Sequence, residues 1–152
     1  MSQTAKPESL SCRIYGVLLR GREVLLTRSV FRAPERTIEF VNFPGGGIEP
    51  GEAPMEALRR EYQEETGMAV KPVRVLYASE AYHRSSHRPL QIVSIFWLVE
   101  PLSGEPRGTG NGDDILQLFW APLDRIPTDE MFPSDLEFAR LLPGFVKGPI
   151  PQ

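Results

Sequence analysis

Cysteine is almost missing: Cys12 stands alone in 152 residues, so no disulfide can close within the chain, and a reducing compartment is the natural setting. Its apolar neighbours predict a small core residue. Long apolar runs are missing too. Nothing approaches the ~20 consecutive residues that span a bilayer, and the opening MSQTAKPES lacks an apolar signal core. The expectation is a cytoplasmic protein without membrane contact. Positive charge is not in surplus, with 17 Lys and Arg against 20 Asp and Glu and a formal net charge of -3. That balance argues against a dedicated partner of nucleic acid polymers or anionic membranes. Internal repeats and low-complexity blocks are absent as well.

What is present suits one globular domain. Hydrophobic residues make up 41% of the chain, and a chain of this length buries roughly 70% of its unfolded surface. Residues 1–9 read as a flexible leader and 10–148 as a single domain. CRIYGVLL and EVLLTRS flank RGRE, whose Gly21 suits a tight turn, so a hairpin is predicted. TIEFVNF alternates until Pro44 and the glycines stop it. KPVRVLYASEAY, LQIVSIFWLV and ILQLFWAPL read as further strands, with HRSSHRP and PLSGEPRGTGNGDD as loops. PSDLEFARLL predicts a short helix with Ser134 as its N-cap, ended by Pro143 and Gly144. Strands on both sides of a central helix, with a second helix at the end, predict a layered α/β (α+β) domain with a mixed sheet.

The stretch NFPGGGIEPGEAPMEALRREYQEETGM, from Asn42 to Met68, combines three consecutive glycines with a helix crowded by glutamates. Pro54 suits the first helical position and Gly67 the stop, so the helix is expected over 54–66. At about 100° per residue, Met55, Leu58 and Tyr62 form an apolar stripe, and Glu61, Glu64 and Glu65 fall in the adjoining arc. Like charges at this spacing destabilise a helix by about 0.2–0.5 kcal/mol per pair, and more where they are partly buried. Arg60 offsets some of this but cannot neutralise three carboxylates and Glu52. A hard divalent cation such as Mg²⁺ can, and it commonly bridges to substrate phosphates. Gly45, Gly46 and Gly47, without side chains, let backbone groups approach such an ion or phosphate.

Gly46, Glu52, Arg60-Glu61, Glu64-Glu65, Gly67 and Met68 match the spacing G-x5-E-x7-R-E-U-x-E-E-x-G-U, where U is a bulky aliphatic residue, and so the stretch resembles the box of the Nudix family. The one departure is Tyr62, where that pattern has Ile, Leu or Val. The resemblance implies an α/β/α sandwich around a mixed sheet and a hydrolase, MutT-like, that cleaves the pyrophosphate linkage of a nucleoside diphosphate linked to X. A nucleotide, dinucleoside polyphosphate or nucleotide sugar would be the small-molecule partner. It further implies that Glu61, Glu64 and Glu65, with a carbonyl near Gly45 or Gly46, bind Mg²⁺ or Mn²⁺. Arg60 with Glu52 would orient the carboxylates. Glu61 and Glu64 are catalytic candidates, and the general base is one of them or an acidic residue elsewhere, Asp113, Asp114 or Glu80. Family members are often homodimers.

Outside the box, Tyr82, His83, Arg84, His87 and Arg88 gather in one loop, where they could stack on a base or hold a phosphate. Arg28 and Arg36, ahead of the glycines, are further substrate candidates, and Trp120 is expected in the core. The alternative function is a nucleotide-binding sensor that keeps the fold without hydrolysing. A prenyl-diphosphate isomerase, the remaining alternative, needs a reactive cysteine, and Cys12 lies far from the box.

Overall fold

Apolar residues of both parities make β1 (Ser9–Arg20) a strand covered on both faces: Ile14, Tyr15, Val17 and Leu18 are all buried. The computed structural model describes residues 6–85, 88–106 and 114–146. β1 turns at Gly21, with φ +59°, into β2 (Glu23–Arg32). The two strands pair at Leu19 with Val24 and Arg20 with Glu23, and no further pairs join them among the described residues. Beyond that turn they part. β1 runs parallel to β7 (Leu90–Ser103) and pairs antiparallel with β4 (Gly45–Gly47). β2 pairs antiparallel with β3 (Thr37–Asn42) and β8 (Ile115–Pro122). β5 (Ala69–Ala78) and the short β6 (His83–Arg84) both pair antiparallel with β7. The sheet is mixed, in the order β3-β2-β1-β7-β5.

Each face carries one helix. α1 (Pro54–Thr66) buries Ala57, Leu58 and Tyr62 against Ile14, Leu18 and Leu25. α2 (Pro133–Phe145) buries Phe138, Ala139 and Leu142 against Tyr15, Val17 and Phe96 on the opposite face. The result is the expected α/β/α sandwich. α1 begins at Pro54 and stops at Gly67, where φ is 76° and the N–H bonds Gln63 O at 3.0 Å. Tyr62 takes its aliphatic position by means of a glycine beneath it. Its hydroxyl donates to Gly16 O at 3.0 Å, and a Cβ on Gly16 would lie 2.3 Å from the Tyr62 ring. No helix among the described residues is long and apolar enough to cross a membrane.

Several expectations need correction. β3 stops at Asn42, ahead of Pro44, as expected, but the glycines that follow are not a loop: Gly45–Gly47 is itself a strand, because the edge of β1 left open where β2 departs supplies backbone partners. HRSSHRP is not wholly loop, since β7 extends far enough to pair with His83 and Arg84. β1 starts within the expected leader at Ser9, and both Glu8 N–H and Ser9 N–H bond Pro89 O. The cap of α2 is Phe132, not Ser134: Pro133 fixes the first helical position, and Phe132, held extended, packs on Phe40. α2 also runs through Pro143 and Gly144 to Phe145, whose ring packs against Phe138. Cys12 and Trp120 are half-buried rather than core, and Trp120 lies under the Arg20 guanidinium at 3.9 Å.

Candidate active site

Arg60 is the hub of the glutamate cluster. Placed on α1 facing β4, it donates to both carboxylate oxygens of Glu52, Nε at 2.6 Å and Nη2 at 3.0 Å. It also reaches Glu61 at 3.1 Å, Glu64 at 3.3 Å and the Gly47 carbonyl at 3.2 Å. A planar guanidinium is suited to this fork-shaped bonding. The Arg60 guanidinium holds the Glu52 carboxyl down to about 2, helped by the Glu49 N–H, and Glu52 in turn raises Arg60. One cation therefore ties the loop ahead of α1, the helix and the glycine strand together.

Glu61 and Glu65 point from α1 toward that strand. Glu65 accepts the Gly45 N–H at 2.8 Å, and a Cβ on Gly46 would lie 2.7 Å from Glu61 Oε1. Only glycine lets the carboxylate and the backbone meet there. Burial raises the Glu61 carboxyl; Arg60 opposes that shift, and the charges of Glu64 and Glu52 add to it. Burial pushes Glu65 up to about 8 against the Gly45 hydrogen bond, with Glu61 and Glu64 pushing in the same direction as burial. In both, the ionised form is one that the protein alone compensates poorly. Among the described residues, no three His, Cys, Asp or Glu side chains converge closely enough to cage an ion as they stand. Glu64 is exposed, held by Arg60.

A cleft of about 620 Å³ runs from Glu61, Glu65 and β4 across β1 to α2. It lies where β1 and β2 part. Arg13 and Tyr15 of β1 and Ser94 of β7 line its floor, and Phe40 and Asn42 of β3 face it from the other half of the sheet. Phe132, Ser134 and Asp135 close it at the start of α2. Asp135 is only 5% exposed, and burial pushes its carboxyl up to about 7 although Arg13 pulls the other way. Beside the cleft, Glu137 of α2 receives the Tyr77 hydroxyl and meets His83 Nε2 at 2.5 Å. Burial alone would raise Glu137; Tyr77, His83 and the Glu80 N–H hold it below the usual value.

Of the expected residues, the structure gathers Glu52, Arg60, Glu61, Glu64 and Glu65 around Gly45–Gly47. His83, Arg84 and Arg88 line the cleft. Arg28, Arg36 and Tyr82 do not. The Arg28 guanidinium is taken by Glu130 at 2.5 Å, Arg36 closes a tight turn with Ala33, and Tyr82 is 58% exposed. Glu80 and Asp114 are also outside the lining, Asp114 pairing with Arg32 at 3.2 Å. His87 and Asp113 lie outside the described residues. Sequence reasoning missed Arg13, Asn42, Ser94 and Asp135. Asn42 had a signal, because it shares a strand face with Phe40 and interrupts an apolar parity; a lone Asp in the first turn of a helix has none.

Known proteins agree with this arrangement. The family model described as the NUDIX domain matches residues 11–142. An 8-oxo-dGTP diphosphatase of Escherichia coli (strain K12) is 37% identical over 88 residues, 58% of this chain and 64% of that protein. The protein of the same name from Haemophilus influenzae is 31% identical over 106 residues, 68% of this chain and 71% of its own. The MutT protein of Methanosarcina mazei Go1 superposes with a TM-score of 0.75 at 18% identity, over 96% of this chain and all of that one, and so shares the fold. With the family model spanning nearly the whole described chain and the box knitted together by Arg60, the chain belongs to the Nudix hydrolase family and is MutT-like.

Proposed function

We propose that this protein hydrolyses the pyrophosphate linkage of a nucleoside di- or triphosphate derivative, using Mg²⁺ or Mn²⁺ held by Glu61, Glu64, Glu65 and the Gly46 carbonyl. The observation that supports it most is the pair Glu61 and Glu65. Both carboxyls have a raised proton affinity, both line the large cleft, and both lie against a strand whose Gly45 and Gly46 leave no room for a Cβ. Hard oxygen donors whose ionised form lacks a compensating charge suit a hard divalent cation, so the residues fit. When bound, such an ion neutralises the diphosphate and lowers the pKa of water.

The chain's own groups do the rest. Arg60 and Glu52 fix the carboxylates from behind. Arg13, Arg84 and Arg88 give the cleft positive charge for a phosphate chain. Glu61, which lines the cleft, and Glu64 are the candidates within the box for taking the proton from the attacking water, which approaches phosphorus in line with the leaving oxygen. Two relatives are named 8-oxo-dGTP diphosphatases, which makes purine nucleoside triphosphates the first substrates to try. The test is a panel of dGTP, 8-oxo-dGTP, ADP-ribose and diadenosine polyphosphates with Mg²⁺, products separated by chromatography. Release of a nucleoside monophosphate is expected. Tight binding of panel members without release, by folded protein, would replace the enzyme with a nucleotide sensor.

A further inference from the structure

Residues 79–85, which follow β5 and include β6, bury no apolar side chain: Ala81 and Tyr82 are both exposed. β6 makes only two register pairs with β7, His83 with Ile92 and Arg84 with Gln91. Backbone bonds pin the two ends of the segment, Ser79 N–H to Ser94 O at 2.9 Å and Ser85 N–H to Leu90 O at 2.8 Å. Chain held by a few partly exposed hydrogen bonds opens locally at low cost. Yet this segment brings His83 and Arg84 into the lining of the cleft.

Glu137 fastens the segment to α2. Its side chain is 22% exposed, and both of its oxygens are used. Oε1 accepts the Tyr77 hydroxyl, near the end of β5, and the Glu80 N–H at 3.4 Å, while Oε2 meets His83 Nε2 at 2.5 Å. These partners keep Glu137 ionised, and an ionised carboxylate can only accept, so Nε2 carries the hydrogen of that pair. One carboxylate thus grips β5, the connection and β6 at once. α2 lines the same cleft through Ser134 and Asp135, so the grip sets the spacing of two of its walls.

We propose that Glu137 is a positioning residue for phosphate binding, which holds β6 against α2 so that Arg84 is in place in the cleft wall before the ligand arrives. The proposal rests on the hydrolase reading, in which Arg84 meets the phosphate chain. Glu137 itself is outside the cleft lining and acts through the chain it holds. A guanidinium already in position loses less freedom on binding than one on a loose segment, so the tether favours affinity rather than the chemical step. Its removal should raise KM and leave kcat in place, the pattern of lost uniform binding.

The experiment is a double-mutant cycle on Glu137→Ala and Arg84→Ala. Calorimetry with Mg²⁺ gives the affinity of each form for the α,β-methylene analogue of dGTP, and hydrogen exchange of residues 79–85 is followed without ligand. Glu137→Ala should speed that exchange and weaken binding about tenfold, and Arg84→Ala should weaken binding at least as much. The double variant should bind no more weakly than Arg84→Ala alone. In dGTP turnover, Glu137→Ala should show the rise in KM with kcat within about twofold of wild type. Near-UV circular dichroism reports whether each variant is folded. Tyr77→Phe, which removes one donor and no charge, should move exchange and affinity the same way by less, and it carries the test if Glu137→Ala does not fold. Unchanged exchange or affinity in a folded variant, or losses that multiply in the double variant, overturns the positioning role while leaving the hydrolase intact. A wild type that binds no analogue removes the hydrolase reading and the positioning role together, and is told apart because it fails before any substitution is made.

Discussion

Glu65 and Asp135 answer to pH in the same direction. Glu65 rises from 4.5 to about 8 and Asp135 from 3.8 to about 7, both through burial. The unfolded chain ionises these groups near pH 4 while the native state keeps its protons to pH 7 or 8. Metal-free stability should therefore decline from about pH 4 to 8 and level off above, by on the order of a few kcal/mol per group. Glu52, held low by Arg60, works oppositely and costs stability only as pH falls from 4.5 toward 2. Urea titrations in a chelator across pH 4–9 should show this decline, with Glu65→Gln flattening it; a rise over that range would refute the burial argument. Glu61→Gln and Glu64→Gln should each lower turnover by at least about a hundredfold, assayed with Mg²⁺, if both carboxylates act on the reacting phosphate. The box residues were legible because their spacing is dense with meaning. Asp135 was not, because an acid in a first helical turn ordinarily serves the helix alone.

Among the elements, α1 shows how local punctuation and tertiary packing divide the work. Pro54 and Gly67 mark its ends, so both were readable from the sequence; the partner of its apolar stripe was not. Tyr62 fits because Gly16, remote in sequence, leaves space for its ring and a carbonyl for its hydroxyl. Tyr62→Phe should destabilise the fold by about 1–3 kcal/mol, since Gly16 O is then left buried without its partner. Gly16→Ala should cost more, because a Cβ at 2.3 Å from the ring forces the helix or strand to shift. Adding Tyr62→Leu to Gly16→Ala should recover part of that loss in denaturant titrations, a coupling that independent sites would not show. β4 was illegible for the opposite reason. Three glycines carry no side-chain periodicity, and their strand exists only because β1 offers an unpaired edge.

Across the whole molecule, two separate apolar clusters lie on the two faces of the sheet, one under each helix. Phe138 anchors the α2 cluster, stacked on Phe96 at 4.3 Å and touching Phe43 and Tyr77. Phe138→Ala should cost about 3–5 kcal/mol, and as α2 also closes the cleft, calorimetry should find weaker nucleotide affinity in whatever remains folded. Fold class was readable from strand and helix order, but the cavity was not, because it arises from where two neighbouring strands stop pairing. β1 and β2 share two rungs beside Gly21 and then diverge. The molecule is thus spined like a half-open book, with its pages joined near one corner. On the function proposed, a nucleotide seated between the pages would act as a splint, and the amides bordering the gap should exchange with solvent more slowly once it is filled.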